Sequence, residues 1–233
     1  MKIRVYHDPG SNPPRIVAAL HSFGWETAAI ERAELRNLSP DDTQVLYLPG
    51  GWYQFDEATY SAIRHFVSEG GGCVGTCAGA YLVGGASGLI PGRVLRPNIR
   101  GRVYIEPQQG DHPILRDVVR PCTRHDKRPH GEQIAVTHLG GPFLLPEDKS
   151  AIIASFDFEG EIGAITAAPL GKGRAVAIAP HPELPLADLA AADVLDREAH
   201  SEANLPQGNA ALLVRNSVLW AAGQDIPLIE ETP

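Results

Sequence analysis

Apolar residues recur along this chain with two different periods, and the alternation of those periods predicts its elements. Residues 3–6 read as a short strand. From Pro13-Pro14 the rhythm changes. Ile16, Val17, Leu20 and Phe23 share one face of a helix, which the prolines open and Gly24 closes. Residues 45–48 form a compact apolar run, a buried strand stopped by Pro49-Gly50-Gly51. Residues 56–69 predict a second amphipathic helix with Ala62, Ile63, Phe66 and Val67 on one face and Gly70 beyond its end. Residues 72–75 are another short buried strand, and a further helix begins over 78–83. The middle is less regular: 102–105, 134–137 and 151–156 read as strands, and 162–167 pairs with 174–178 across a Pro-Leu-Gly-Lys-Gly turn. The Ala-rich stretch 187–197 reads as helical, and 209–220 as a closing helix.

Strands and helices that alternate in this order imply parallel strands joined by crossover helices. The expectation is one α/β domain over residues 1–233, an open, mostly parallel sheet flanked by helices, with neither internal repeat nor linker. A domain of 233 residues with 43% hydrophobic and 21% charged residues buries enough surface to hold a core unaided. Its formal net charge of -8 argues against nucleic acid and against an anionic membrane surface, since either selects a basic face. No apolar run approaches the roughly 20 residues of a membrane span, and the N-terminus lacks a signal-peptide core. A cytoplasmic location is expected. The three cysteines, Cys73, Cys77 and Cys122, form no even disulfide framework and lack zinc-like spacing, so neither a metal nor another cofactor is called for.

Candidate chemistry starts at Gly75-Thr76-Cys77-Ala78-Gly79, which lies between an apolar strand and a helix. That context is what a nucleophile elbow requires. Such a turn holds its central residue in a backbone conformation strained by roughly 1–3 kcal/mol, and flanking glycines leave room for it. The side chain then projects from the carboxyl edge of the sheet, where open α/β sheets bind ligands. Unpaired N–H groups at the start of the next helix favour a thiolate. The plain alternative is a small buried residue at a glycine-rich turn. Cys73, inside the strand, reads as a packing residue.

The candidate base is His181, at the end of the apolar strand Ala175-Val176-Ala177-Ile178 and followed by Pro182-Glu183. Proline pushes the residue before it to extended backbone, and extended residues two apart face the same way. His181 and Glu183 are therefore expected to share one cavity, the carboxylate fixing the imidazole as the third member of a nucleophile–base–acid set. A solvated surface turn is the competing reading. Oxyanion donors are expected from the N–H of Ala78 and from Gly50, Gly51 or Trp52, in the loop that leaves the neighbouring strand. Tyr81, Trp52 and His7 are the candidate substrate-binding side chains. The other histidines lack comparable framing.

Taken together, Cys77, His181 and Glu183 resemble, in identity and order, the triad of class I glutamine amidotransferase-like proteins. The finer pattern is similar to the family of the biotin–protein ligase N-terminal domain. It lies in Leu48-Pro49-Gly50-Gly51, Gly75-Thr76-Cys77-Ala78-Gly79-Ala80-Tyr81, Gly140-Gly141-Pro142-Phe143, and Gly171-Lys172-Gly173-Arg174 leading to His181-Pro182-Glu183. The resemblance spans roughly residues 1–183 and leaves 187–207 unplaced. It implies a flavodoxin-like sheet and a cysteine amidohydrolase acting on a small-molecule amide or amino-acid-like substrate. Glutamine-using members commonly carry a glutamine four residues after the nucleophile. Here that position is Tyr81, whose phenol lacks an amide's paired donor and acceptor, so the resemblance does not carry glutamine over as substrate. Two other readings stand beside this one. One is a binding or regulatory domain that keeps the triad without turnover; the other is a cyanophycinase-like peptidase, against which His181-Pro182-Glu183 argues. A homodimer or another protein partner is left open.

Overall fold

The computed structural model describes residues 1–11, 13–86, 88–118, 133–184 and 209–227. Cys122, the helix expected over 187–197 and the unplaced 187–207 stretch lie outside the described residues.

The first half of the chain follows the predicted alternation. β1 (Lys2–Tyr6) leads to α1 (Pro14–Ser22), which buries Ile16, Ala19 and Leu20 and carries proline in its first turn. An edge strand, β2 (Glu26–Ile30), comes next; only Ile30 of its five residues is buried, which is why its pattern is faint. β3 (Val45–Leu48) is buried along its whole length. α2 (Glu57–Ser68) is capped by Asp56, whose side chain accepts from the Thr59 N–H, and it buries Ile63, Phe66 and Val67. Burial of each such side chain contributes about 1.5–3 kcal/mol. β4 (Gly72–Thr76), also wholly buried, runs through Cys77 into α3 (Ala78–Tyr81), which continues as a π-helical turn over Leu82–Ala86.

Antiparallel strands make up the second half: β5 (Gly92–Leu95), β6 (Arg100–Pro107), β7 (Ile134–Leu139), β8 (Phe143–Pro146), β9 (Ile152–Phe156), β10 (Glu159–Leu170) and β11 (Gly173–Ile178). β10 and β11 form the expected hairpin, with Gly171 at φ +60° in its turn. The last described helix is α4 (Asn209–Ala221). The 11-stranded sheet runs β2-β1-β3-β4-β11-β10-β9-β6-β7, with β8 on β10 and β5 on β8. Its parallel part is β2-β1-β3-β4-β11, and the rest is antiparallel, so the sheet is mixed. The uninterrupted apolar runs of β3 and β4 belong to this parallel part, where helices cover both faces.

Register decides what meets at the carboxyl edge. Leu48 pairs with Gly75, and Thr76 with Ile178. Parallel strands end on the same side, so the loop after β3, the residue after β4 and the segment after β11 emerge as three neighbours. The segments carrying Gly50, Cys77 and His181 are these three.

Helix and sheet approach closely here. A methyl on Gly79 would lie 2.0 Å from the Leu48 carbonyl oxygen, and one on Gly75 would lie 2.4 Å from the Gly79 oxygen. Backbone cannot yield as a flexible side chain does. Gly79→Ala is therefore expected to lower the unfolding free energy by about 1–3 kcal/mol in urea denaturation. Gly110→Ala, with nothing within 4 Å of the added methyl, serves as the control and should stay within about 1 kcal/mol. An unchanged midpoint for Gly79→Ala would contradict this packing.

Candidate functional site

Cys77 sits at φ 49°, ψ -104°, one of two described non-glycine residues with positive φ. Its N–H donates to the Ile178 carbonyl at 3.0 Å, and its own carbonyl accepts from Ala80 at 3.0 Å and Tyr81 at 3.3 Å. The turn is thus tied to β11 on one side and to α3 on the other. Cys77 is 8% exposed. Cys73, three residues before the end of β4, is fully buried, and burial pushes its thiol pKa up.

His181 arrives from the neighbouring strand. Its N–H donates to Thr137 of β7 at 2.7 Å, which keeps this residue extended in an antiparallel bridge. Nδ1 lies 2.7 Å from Glu183 Oε1, a pair that is almost wholly buried. The route to that contact differs from the extended geometry expected from the sequence. Residues 181–184 form a turn closed by the Leu184 N–H on the His181 carbonyl at 3.2 Å, and the turn folds Glu183 back onto the imidazole. Gly50 makes room for the ring, since a methyl there would lie 2.6 Å from His181 Cε1.

Burial disfavours the charged imidazole, but the neighbouring Cys77 and the Glu183 carboxylate outweigh burial and hold its pKa well above the ordinary value. Beside Glu183 lies Tyr47, whose pKa is raised by burial and then by the carboxylate's charge. Glu183 Oε2, Tyr47 Oη and Thr76 Oγ1 are all buried without a hydrogen-bond partner among the described residues. A second imidazole, His138, stays neutral: burial pushes its pKa down, and its Nδ1 faces the Ile99 carbonyl at 3.0 Å.

The loop after β3 is pinned by the loop after β1. Trp52 donates its N–H to the Gly10 carbonyl at 2.6 Å, so this amide is already engaged and is not an oxyanion donor, contrary to one of the options read from the sequence. Gly51, at φ +145°, packs so closely that a methyl would lie 2.1 Å from the Gly10 oxygen. The N–H groups of Ala78, Gly50 and Gly51 make no backbone hydrogen bond among the described residues. His7 stands apart: it lines a cleft of about 930 Å³ with Asp8, Arg32 and Arg36, without Cys77, His181 or Tyr81.

Tyr81 and Trp52 lie at the mouth. The Tyr81 hydroxyl donates to the Gly140 carbonyl at 3.3 Å, and the Trp52 side chain is 76% exposed. Between them lies a residue that sequence reasoning missed. The Arg96 guanidinium is 5.3 Å from the Trp52 ring centroid and 5.7 Å from that of Tyr81. Arg96 follows β5, a short half-exposed strand without a readable pattern, so nothing in the sequence placed it at the site. Among the described residues no group of three or more His, Cys, Asp or Glu could hold a metal ion. No described helix is long and apolar enough to cross a membrane.

No protein-family model matches the chain, and no curated protein matches it either. Solved structures do. A glutamine amidotransferase from Methylobacillus flagellatus aligns at TM-score 0.59 and 13% identity, covering 99% of this chain and 98% of that one. A glutamine amidotransferase from Thermotoga maritima aligns at 0.56 and 13%, covering 95% and 98%. An exo-β-1,4-mannosidase from an Opitutaceae bacterium aligns at 0.54 and 11%, over 93% of this chain and 35% of the other. The fold is that of class I glutamine amidotransferase-like proteins. At these identities the likeness concerns fold alone.

The raised value of His181 can be read at the ring itself. Followed by NMR between about pH 6 and 8, the ring should stay protonated above about 6.5, the ordinary midpoint. A ring that loses its proton at or below that value would contradict the reading.

Proposed function

We propose that this chain is a cysteine-dependent enzyme of the amidohydrolase or amidotransferase type, acting on a small-molecule amide or amino-acid-like substrate. The observation that carries the proposal is the buried His181–Glu183 pair at 2.7 Å, at the edge where β4 and β11 end in register and the positive-φ Cys77 is tied to Ile178. A packing cysteine requires neither positive φ nor a buried histidine held by a carboxylate. The glutamine amidotransferase-like fold supports the same reading. Within it, the elbow and His181-Pro182-Glu183 motifs favour a relationship to the biotin–protein ligase N-terminal domain family.

The steps follow from these groups. Cys77 Sγ attacks the substrate's carbonyl carbon as the thiolate, its proton already held by His181. The tetrahedral oxyanion accepts hydrogen bonds from the N–H groups of Ala78 and Gly51, each such donor contributing about 2.7–4 kcal/mol to the transition state. The C–N bond breaks as His181 returns the proton to the departing nitrogen, leaving a thioester. Water, deprotonated by His181, attacks that thioester and releases the acid and the free thiol. Glu183 orients the imidazole and stabilises its cation throughout. The second reading, a binding domain without turnover, draws on the 8% exposure of Cys77, which restricts access to the sulfur.

Iodoacetamide labelling separates the two. At about pH 6.5 an ordinary thiol is only ~1% thiolate, so an activated Cys77 should label rapidly and the adduct should map to that residue by mass spectrometry. Cys77→Ser should fold with an unchanged melting midpoint and lose the label. His181→Ala should slow labelling at least about tenfold, toward the rate of an unassisted thiol. Slow labelling in the parent chain, indifferent to His181→Ala, would favour the non-catalytic reading.

A further inference from the structure

Arg96 carries a charge that no described carboxylate neutralises. It is exposed, and among the described residues no Asp or Glu forms an ion pair with it. In a chain of net charge -8, an arginine held in place without a carboxylate is a feature to account for. What holds it is aromatic. The Trp52 and Tyr81 rings sit 5.3 and 5.7 Å from the guanidinium carbon, within the range of cation–π attraction. Contact with ring faces leaves a guanidinium's in-plane N–H groups to donate, as a planar fork that matches a carboxylate.

Its two supports connect it to the reacting sulfur. Tyr81 belongs to the first turn after the elbow, with its N–H on the Cys77 carbonyl at 3.3 Å. Trp52 directly follows Gly51, in the loop whose Gly50 lies against the imidazole. Arg96 therefore bridges the loop bearing the oxyanion donors and the helix bearing the nucleophile.

We propose that Arg96, held on the rings of Trp52 and Tyr81, is the specificity residue that receives a carboxylate of the substrate, so that the amide attacked by Cys77 belongs to an anionic molecule. This rests on the reading of Cys77 as the nucleophile, and it goes beyond it in assigning the charge of the substrate. Tyr81 then has a role of its own. Where an amide side chain would bind substrate directly, the phenol positions an arginine that does so.

The test compares two alkylating agents of similar size and opposite demand on Arg96, anionic iodoacetate and neutral iodoacetamide. The ratio of the iodoacetate to the iodoacetamide labelling rate at Cys77 should fall roughly tenfold in Arg96→Gln, the loss of one charge-assisted contact. Arg96→Lys should retain part of the preference, since it keeps the charge and loses the planar fork. If Arg96 were only a clamp between two rings, both agents would slow alike and the ratio would hold, which would overturn the assignment while leaving Cys77 as the nucleophile. Binding can be read without reactivity. In Cys77→Ser, succinamate, which bears one amide and one carboxylate, should quench tryptophan fluorescence saturably, and neutral succinamide should not. Loss of that response in Arg96→Gln supports the site. Equal responses to the two compounds, or a response indifferent to Arg96→Gln, would overturn it, whatever the alkylation of Cys77 shows about the enzyme.

Discussion

Cys77 occupies a backbone conformation that costs a side-chain-bearing residue roughly 1–3 kcal/mol, and the surrounding structure is arranged so that it has no alternative. β4 ends in register with β11, so the Cys77 N–H finds the Ile178 carbonyl. α3 starts at once, so the Cys77 carbonyl is taken by Ala80 and Tyr81. Gly79 lets the helix settle onto the Leu48 carbonyl of β3. Each of these contacts reaches a different neighbouring element. The strain is therefore held by the parallel part of the sheet as a whole. The same three strand ends deliver the loop carrying Gly50 and Gly51, the thiol, and the imidazole to one edge, and the site follows from the sheet's register.

The second constraint is electrostatic. A histidine and a glutamate buried together are costly to desolvate, and such a pair is retained only with good geometry and compensating partners. At 2.7 Å the geometry is good on one oxygen. The other, Glu183 Oε2, is buried without a hydrogen-bond partner among the described residues, and the carboxylate's charge helps raise the pKa of the Tyr47 phenol on β3. The carboxylate therefore depends on one contact, the imidazole, and loss of the His181 side chain would leave it buried and unpaired.

Much of this was legible before any coordinates, because the motifs coincide with changes in hydrophobic period. The strand before Cys77, the glycines around it and the helix after it define an elbow from spacing alone, and His181-Pro182-Glu183 follows an apolar strand of equal clarity. The expected helices at α1, α2 and α4 appear with their predicted ends within a residue or two. Other parts were not legible, for physical reasons. β2, β5 and β8 are only four or five residues long, and their inward and outward positions are not sorted into apolar and polar residues, so the sequence leaves too little pattern to read. Glu183 reaches His181 through a turn, a tertiary detail that dipeptide preferences do not encode. Trp52 looked like a free backbone donor until the Gly10 loop, some forty residues earlier in sequence, was seen to engage it. Arg96 was invisible because cation–π partners need no fixed sequence spacing.

What remains to be decided about this fold lies at its mouth. Proteins of the same architecture include glutamine amidotransferases and a mannosidase, so the sheet does not choose the reaction. On the proposed reading, the thiol, imidazole and carboxylate select the class of chemistry, attack on a polarised carbonyl, and are indifferent to what hangs from it. Selection among substrates would then fall to side chains that contact the remainder of the molecule, and exposed Trp52, half-buried Tyr81 and the arginine between them are the proposed ones. Tyr81 is fixed in the helix that starts at the elbow, whereas Trp52 and Arg96 lie outside helices and strands. Loops tolerate change more readily than the elements they connect, so recognition can be altered at those two positions without disturbing the elbow.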